Sequence, residues 1–291
     1  MLEVRAAISP RPPFIARVRL IMASIRQWYP GATCKVSCWP PPTAETAAAL
    51  GEEWSVPAAA EVALWTGTRA PFMATVLDTY RPPFTGDHVL HLDADTIPIL
   101  TPAALLQIDG LAGVPAHHGP CRVDEWHRIF TAAGLPTPHL DMPYSGFGIM
   151  FDDEIERFGP RGYFNSGMMI GPRAVWERLA EPYADAVEFL RRGLADHYWT
   201  DQLATPLAVA AAGIPTFPLG LVWNWPNRAA FDAADPDNVR NIRFAHLMDT
   251  SIVDRDRDFA DEAALDRLCA RTDLTGSNEV ARRRVAELRG L

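Results

Sequence analysis

The sequence predicts an α/β domain with a mixed, mostly parallel sheet flanked by helices, and three observations predict it. Short apolar segments alternate with amphipathic helical stretches along the N-terminal third. Val89, Leu90 and Leu92 form a continuous apolar run, as in a strand buried on both faces of a parallel sheet. Asp93 and Asp95 follow at its carboxyl end, where open α/β sheets place their ligand sites.

The elements follow in order. Residues 2–9 read as a first strand, ended by Pro10, Pro12 and Pro13. Ile15, Val18, Ile21, Met22 and Ile25 recur at helical spacing, and Pro30-Gly31 stops that helix. Cys34, Val36 and Cys38 alternate through a second strand at 33–39. Residues 43–50 and 69–80 read as helices, the second carrying Met73, Val76 and Leu77. The stretch 107–160, with His117, His118, Trp126 and a Gly146–Gly148 turn, reads as an irregular insertion or lid. A strand at 163–171 ends in Gly171, and a helix over 173–194 lines up Trp176, Leu179, Tyr183, Ala186 and Leu190. Another helix spans 200–212, with Thr200 as N-cap and Asp201 in its first turn. Late strands are expected in 214–225 and 241–246, and helices at 261–271 and 277–289.

Composition narrows the function. The 291 residues are 48% apolar and 22% charged, enough for a core without staples. A formal charge of −9 argues against a general nucleic-acid binder. Cys34, Cys38, Cys121 and Cys269 lack metal-ligand spacing and read as core thiols. No run reaches the roughly 18 apolar residues of a membrane span, and no secretory leader is evident, so a cytoplasmic protein is expected. Lys35 is the only lysine among 27 basic side chains, which removes any chemistry needing a lysine elsewhere.

The chemistry concentrates in His91-Leu92-Asp93-Ala94-Asp95-Thr96. On an extended segment Asp93 and Asp95 point to the same side. Two carboxylates on one face repel each other unless a cation sits between them. Hard divalent cations such as Mn²⁺ or Mg²⁺ fit that pair and leave positions open for phosphate oxygens. The alternative is a solvated turn. Asn165-Ser166-Gly167, Thr200-Asp201-Gln202 and Phe244-Ala245-His246 follow; alone, each has a structural reading as a turn, a helix start or a strand-end histidine.

In this order the motifs resemble the family-8, glycogenin-like glycosyltransferases of the GT-A fold, a Rossmann-like nucleotide-binding sheet. The resemblance covers roughly residues 3–250 and rests on four short motifs. It implies a catalytic domain over 1–250, with 251–291 as a C-terminal helical extension. It implies transfer of a sugar from a nucleotide-sugar donor, a UDP-sugar, to an unassigned acceptor with retention. Asp93, Asp95 and His246 would hold Mn²⁺ or Mg²⁺, and Ala94 would line the donor between the carboxylates. Asn165, Ser166 and Gly167 would form the sugar pocket. Asp201 would hydrogen-bond sugar hydroxyls and Gln202 would sit near the anomeric carbon. Arg69 would contact the donor, and Ser9 and Phe14 the nucleoside.

Two departures stand out. The interval from Asp95 to Asn165 is longer than in compact members, so acceptor class does not transfer. The His246-Leu247-Met248-Asp249 segment lacks the following Gly-x-x-Lys, leaving Arg255 and Arg257 as the nearest replacement cations. Rival readings remain. Asp93 resembles the nucleophile of haloacid-dehalogenase-like phosphatases, with Asp152-Asp153 as the distal metal pair, but that motif belongs in a first strand and needs a downstream lysine. A sugar nucleotidyltransferase would want glycines in Ser9-Pro10-Arg11-Pro12-Pro13. A sugar-binding protein with this fold and no turnover is the non-enzymatic alternative. Arg282, Arg283, Arg284 and Arg289 are expected on a solvated basic helix face rather than on a lipid surface.

Overall fold

The computed structural model describes residues 1–64, 70–119, 121–145, 157–194 and 200–291. Its strands are β1 (Leu2–Ile8), β2 (Thr33–Cys38), β3 (Glu53–Ser55), β4 (His88–Leu92), β5 (Thr96–Pro98), β6 (Leu111–Pro115), β7 (Met142–Pro143), β8 (Phe158–Gly159), β9 (Phe164–Pro172), β10 (Thr216–Pro218), β11 (Trp225–Pro226) and β12 (Phe244–His246). Its helices are α1 (Pro12–Trp28), α2 (Ala44–Leu50), α3 (Ala59–Val62), α4 (Ala70–Thr79), α5 (Val123–Ala132), α6 (Arg173–Leu194), α7 (Thr200–Ala212), α8 (Ala229–Ala234), α9 (Glu262–Ala270) and α10 (Gly276–Leu288).

Seven strands make the main sheet in the order β10-β6-β9-β4-β1-β2-β3. Only β9 runs against its neighbours, pairing antiparallel with both β4 and β6. All seven residues of β1 are buried, including Glu3 and Arg5, as a strand covered on both faces requires. Alternate residues then serve opposite faces. Val89, Leu111 and Met169 pack with α4, α6 and α7, whereas Leu90, Leu92, Ala112 and Ile170 pack with α1.

Local chemistry explains the helix ends. Pro12 and Pro13 open α1, where a missing N–H costs nothing. The Thr43 side chain caps α2 by accepting from Thr46 N, and Gly51 ends that helix at φ 66°. α7 starts at Thr200 as expected, and its residues from Thr200 to Val209 are buried.

A second sheet, β11-β12-β5, lies beside the first. It shares a core with α9 and α10 through Ile97, Trp225, Ala245, Leu265 and Val285. The register sets His246 opposite Thr96. A histidine more than a hundred residues downstream is thereby brought beside the β4 aspartates.

Three expectations change. Residues 111–115 are not part of an irregular insertion: they form β6, inside the main sheet. Gly113 and Pro115 hide that strand in the sequence. Gly113 is needed because a Cβ there would lie 2.7 Å from the Phe164 ring. The α10 arginines do not form a basic face. Arg282 and Arg283 pair with Glu279, Arg289 with Glu262 and Asp266, and Arg284 is buried against Ser24 and the Pro98 carbonyl. The span 214–225 breaks into the short strand β10 and a 3₁₀ turn at Leu221–Trp223 before β11. Arg69, the Gly146–Gly148 turn and Asp152-Asp153 lie outside the described residues.

Candidate active site

The carboxyl ends of β2, β1, β4 and β6 and the start of β9 share one edge of the sheet. A cavity of about 1070 Å³ runs along that edge. Its wall includes Ser9, Phe14, Asp93, Ala94, Asp95, Asn165, Ser166, Asp201, Gln202 and His246. Ten residues expected at the site therefore converge from five separate segments.

Backbone pairing builds the centre. Asp93 N donates to the Gly167 carbonyl at 3.2 Å, continuing the β4–β9 ladder past Leu92. Leu247 N donates to the Asp95 carbonyl at 2.8 Å, fixing the strand that carries His246. Gly167 stands between them. A Cβ there would lie 2.5 Å from His246 Nδ1, so the glycine makes room for the imidazole.

Asp93, Asp95 and His246 each offer one atom to a group whose members lie within 4.8 Å of one another. His246 Nε2 is 3.3 Å from Asp95 Oδ1 and 3.9 Å from Asp93 Oδ2. Ser166 Oγ donates to Asp93 Oδ2 at 3.3 Å. Two oxygens and one imidazole nitrogen suit a divalent cation, and Mn²⁺ better than Mg²⁺ because nitrogen is the softer donor.

The charges are unevenly balanced. Burial and then the neighbouring Asp95 charge push the Asp93 carboxyl up to about 7. Burial acts on Asp95 too, but His246 and Arg255 outweigh it and hold Asp95 below the usual carboxylate range. His246 is raised: burial works against its charged form, and the two aspartates overcome that. The trio thus holds less positive charge than two ionised carboxylates require, which is the condition a divalent cation relieves.

Asn165 Oδ1 accepts from Gly167 N at 2.9 Å and from Asn224 Nδ2 at 2.7 Å. With its oxygen engaged, the Asn165 amide group offers its N–H donors to the cavity. Asp201 and Gln202 open α7, and the Tyr183 hydroxyl donates to the Asp201 carbonyl at 3.3 Å. Behind that contact, Tyr183 stacks on Tyr80 at 3.6 Å.

Of the two arginines expected to replace the missing lysine, Arg255 reaches the cavity, and other wall residues were not foreseen. Arg17 is 1% exposed, covers the Phe14 ring at 4.5 Å and donates to the Arg255 carbonyl. Burial brings its guanidinium down to about 10, so it remains a cation. Arg255 pairs with Asp95, whereas Arg257 is exposed and pairs with Asp258. Trp39, Thr75, His117, His118 and Arg228 also line the wall. Helical spacing reads Arg17 as one more α1 residue, and only the cavity distinguishes it. His117-His118 after β6 had a sequence signal, paired histidines at a strand end, once β6 is seen as a strand. Arg255 and Asp256 line the cavity from beyond residue 250, so that boundary does not enclose the site.

No protein-family model matches the chain, and no curated protein matches its sequence. Solved structures do. The galactosyltransferase LgtC in complex with donor and acceptor sugar analogues superposes with a TM-score of 0.57 at 15% identity, over 99% of this chain and 95% of that one. An active-site mutant of LgtC gives 0.58 at 14% identity over the same shares. Mouse xyloside xylosyltransferase 1 gives 0.49 at 11%, over 87% and 99%. At such identity the likeness is one of architecture: the chain has the mixed, mostly parallel α/β fold of GT-A-type glycosyltransferases.

Proposed function

We propose that the protein is a metal-dependent glycosyltransferase of the family-8 type, moving a hexose from a UDP-sugar to an acceptor with retention. The observation that carries this is the Asp93–Asp95–His246 trio set mid-way along a cavity large enough for a nucleotide sugar and an acceptor. The trio would hold Mn²⁺, which supplies Lewis-acid stabilisation of the departing diphosphate. Ser9, Phe14 and Trp39, at the β1–β2 end, would receive the nucleoside. Arg255 and Arg17 bring positive charge where the sequence has no lysine, and they would face the diphosphate. Asn165 would donate toward the sugar, and Ser166, whose proton goes to Asp93, would line the same pocket. Asp201 would take its hydroxyls, and Gln202 would sit against the anomeric carbon. The phosphatase reading has less support: β4 is not the first strand, and no lysine follows Lys35.

Among the described residues no helix is long and apolar enough to cross a membrane. The deciding experiment is a donor screen with Mn²⁺ and a panel of nucleotide sugars, read by thermal shift and release of nucleoside diphosphate. UDP release from one UDP-sugar, lost on removing Mn²⁺, is expected. Binding without release would point to a sugar-binding protein, and release of phosphate from simple phosphomonoesters would restore the phosphatase.

A further inference from the structure

At the β6 end of the cavity sits a buried histidine that the proposed reaction does not use. His117 lies two residues past the end of β6, is 5% exposed and forms part of the cavity wall. Its hydrogen bonds define its tautomer. The Ser145 hydroxyl donates its single proton to the Pro115 carbonyl at 2.7 Å. Ser145 Oγ can then only accept, so its 2.8 Å contact with His117 is Nδ1–H donating to oxygen. In a neutral ring this leaves Nε2 with a lone pair and no proton. Nε2 has no hydrogen-bond partner among the described residues. Burial keeps the ring neutral, helped by the positive charge of His246, His118 and Arg228, and pushes it down to about 3. The Phe231 ring packs 5.2 Å away and offers that nitrogen no proton.

An interior acceptor without a partner is costly, so a ligand that supplies one proton gains by binding there. The strand order ranks the wall as Trp39, Ser9, Asp93, Asn165, His117. With the nucleoside at the β2–β1 end, His117 lies at the sugar end. We infer that His117 Nε2 recognises a sugar hydroxyl, accepting its proton in a hydrogen bond, and so selects a hydroxyl-bearing substrate at that position. A carboxylate there would face a lone pair instead. This inference rests on the nucleotide-sugar reading of the site.

Two arms test it. Long-range proton–nitrogen NMR on the full chain, labelled at histidine nitrogens, should show His117 neutral and protonated on Nδ1 at neutral pH. Ser145→Ala should admit the other tautomer. An imidazolium, or a proton on Nε2, in the wild-type protein overturns the inference. The second arm measures Mn²⁺-dependent UDP release from UDP-glucose and UDP-galactose, with and without methyl glycosides, using parent, monodeoxy and monodeoxyfluoro sugars. Fluorine accepts but does not donate. At the recognised position both replacements should therefore cost about three- to tenfold in kcat/KM, the loss of one neutral hydrogen bond. In His117→Phe the same replacements should cost nothing further. Loss already present without glycoside assigns the hydroxyl to the transferred sugar; loss seen only with glycoside assigns it to the acceptor. Full activity of the fluoro analogues at every position overturns the inference. The NMR arm needs no turnover, so failure of every donor would count against the transferase and leave the tautomer result standing.

Discussion

Both ends of the central strands hold a carboxylate near arginine, and the two ends treat it differently. At the amino-terminal edge, Glu3 is 2% exposed and accepts from Arg5 Nε at 2.5 Å, Gly86 N at 2.9 Å and Thr85 Oγ at 3.1 Å, and from Thr85 N as well. Arg5 donates in turn to the Arg81 and Pro83 carbonyls. Glu3 sits below its ordinary value: burial raises it, and the Gly86 N–H and Arg5 more than reverse that. At the carboxyl edge, Asp93 accepts one side-chain hydrogen bond among the described residues, from Ser166, and is held up to about 7. A buried charge satisfied by its own chain is scaffold. One left short of partners on a cavity wall is set up for a ligand.

The sharpest way to break this contrast is Asp95→Ala. Mn²⁺-dependent UDP binding and turnover should fall by at least about a thousandfold, roughly 4 kcal/mol, by calorimetry and UDP release. Near-normal values would sink the metal assignment. Glu3→Gln should do the reverse, leaving Arg5 buried without its charge partner and costing roughly 3 kcal/mol of stability in urea melts. UDP binding per folded molecule should survive; its loss would mean the two edges are not separable. Next comes His246→Ala, which should raise the Mn²⁺ needed for half-maximal activity about 10- to 100-fold. An unchanged requirement would make the histidine a structural residue only.

Asp93→Asn tests the charge shortage without any substrate. A carboxyl raised in the folded chain keeps its proton longer there than in the unfolded chain. The metal-free protein should therefore lose stability as pH rises from about 4 to about 7. His246 adds in the same direction as pH passes through its raised value, since its contribution is present only while it is protonated. Asp95 does not oppose this, because its lowered value confines its effect to more acidic pH. Asp93→Asn should thus stabilise the metal-free protein at pH 8 by on the order of 1–2 kcal/mol. That is less than the full shift, because the side chain is 29% exposed to the cavity. A destabilised variant would contradict the frustration argument. The smallest effect belongs to Arg257→Ala, within about 0.5 kcal/mol for stability and UDP binding alike, because Arg257 is exposed and pairs with its neighbour Asp258.

Much of the fold could be read from the chain because its signals are local. The run Val89-Leu90-His91-Leu92 and the α1 stripe depend on near neighbours only. β6 was not legible, since its glycine and proline make sense only against Phe164 and the bulged register with β9. The four motifs do converge on one cavity. Yet Arg17 and Arg255 meet there across 238 positions of sequence, and no spacing rule anticipates such a pair. The arginine run of α10 misled because a basic triplet on paper says nothing about which guanidinium points inward.

That inward guanidinium has a consequence for modularity. Arg284 joins α10 to Ser24 on α1 and to the Pro98 carbonyl at the end of β5. β5 is paired with β12, the strand that presents His246. A graft of this sheet into another scaffold, cut just after His246, would carry Asp93, Asp95 and His246 and still lack the Arg284 contacts to α1 and to the end of β5. A transplantable unit that keeps those contacts must therefore include the last helix.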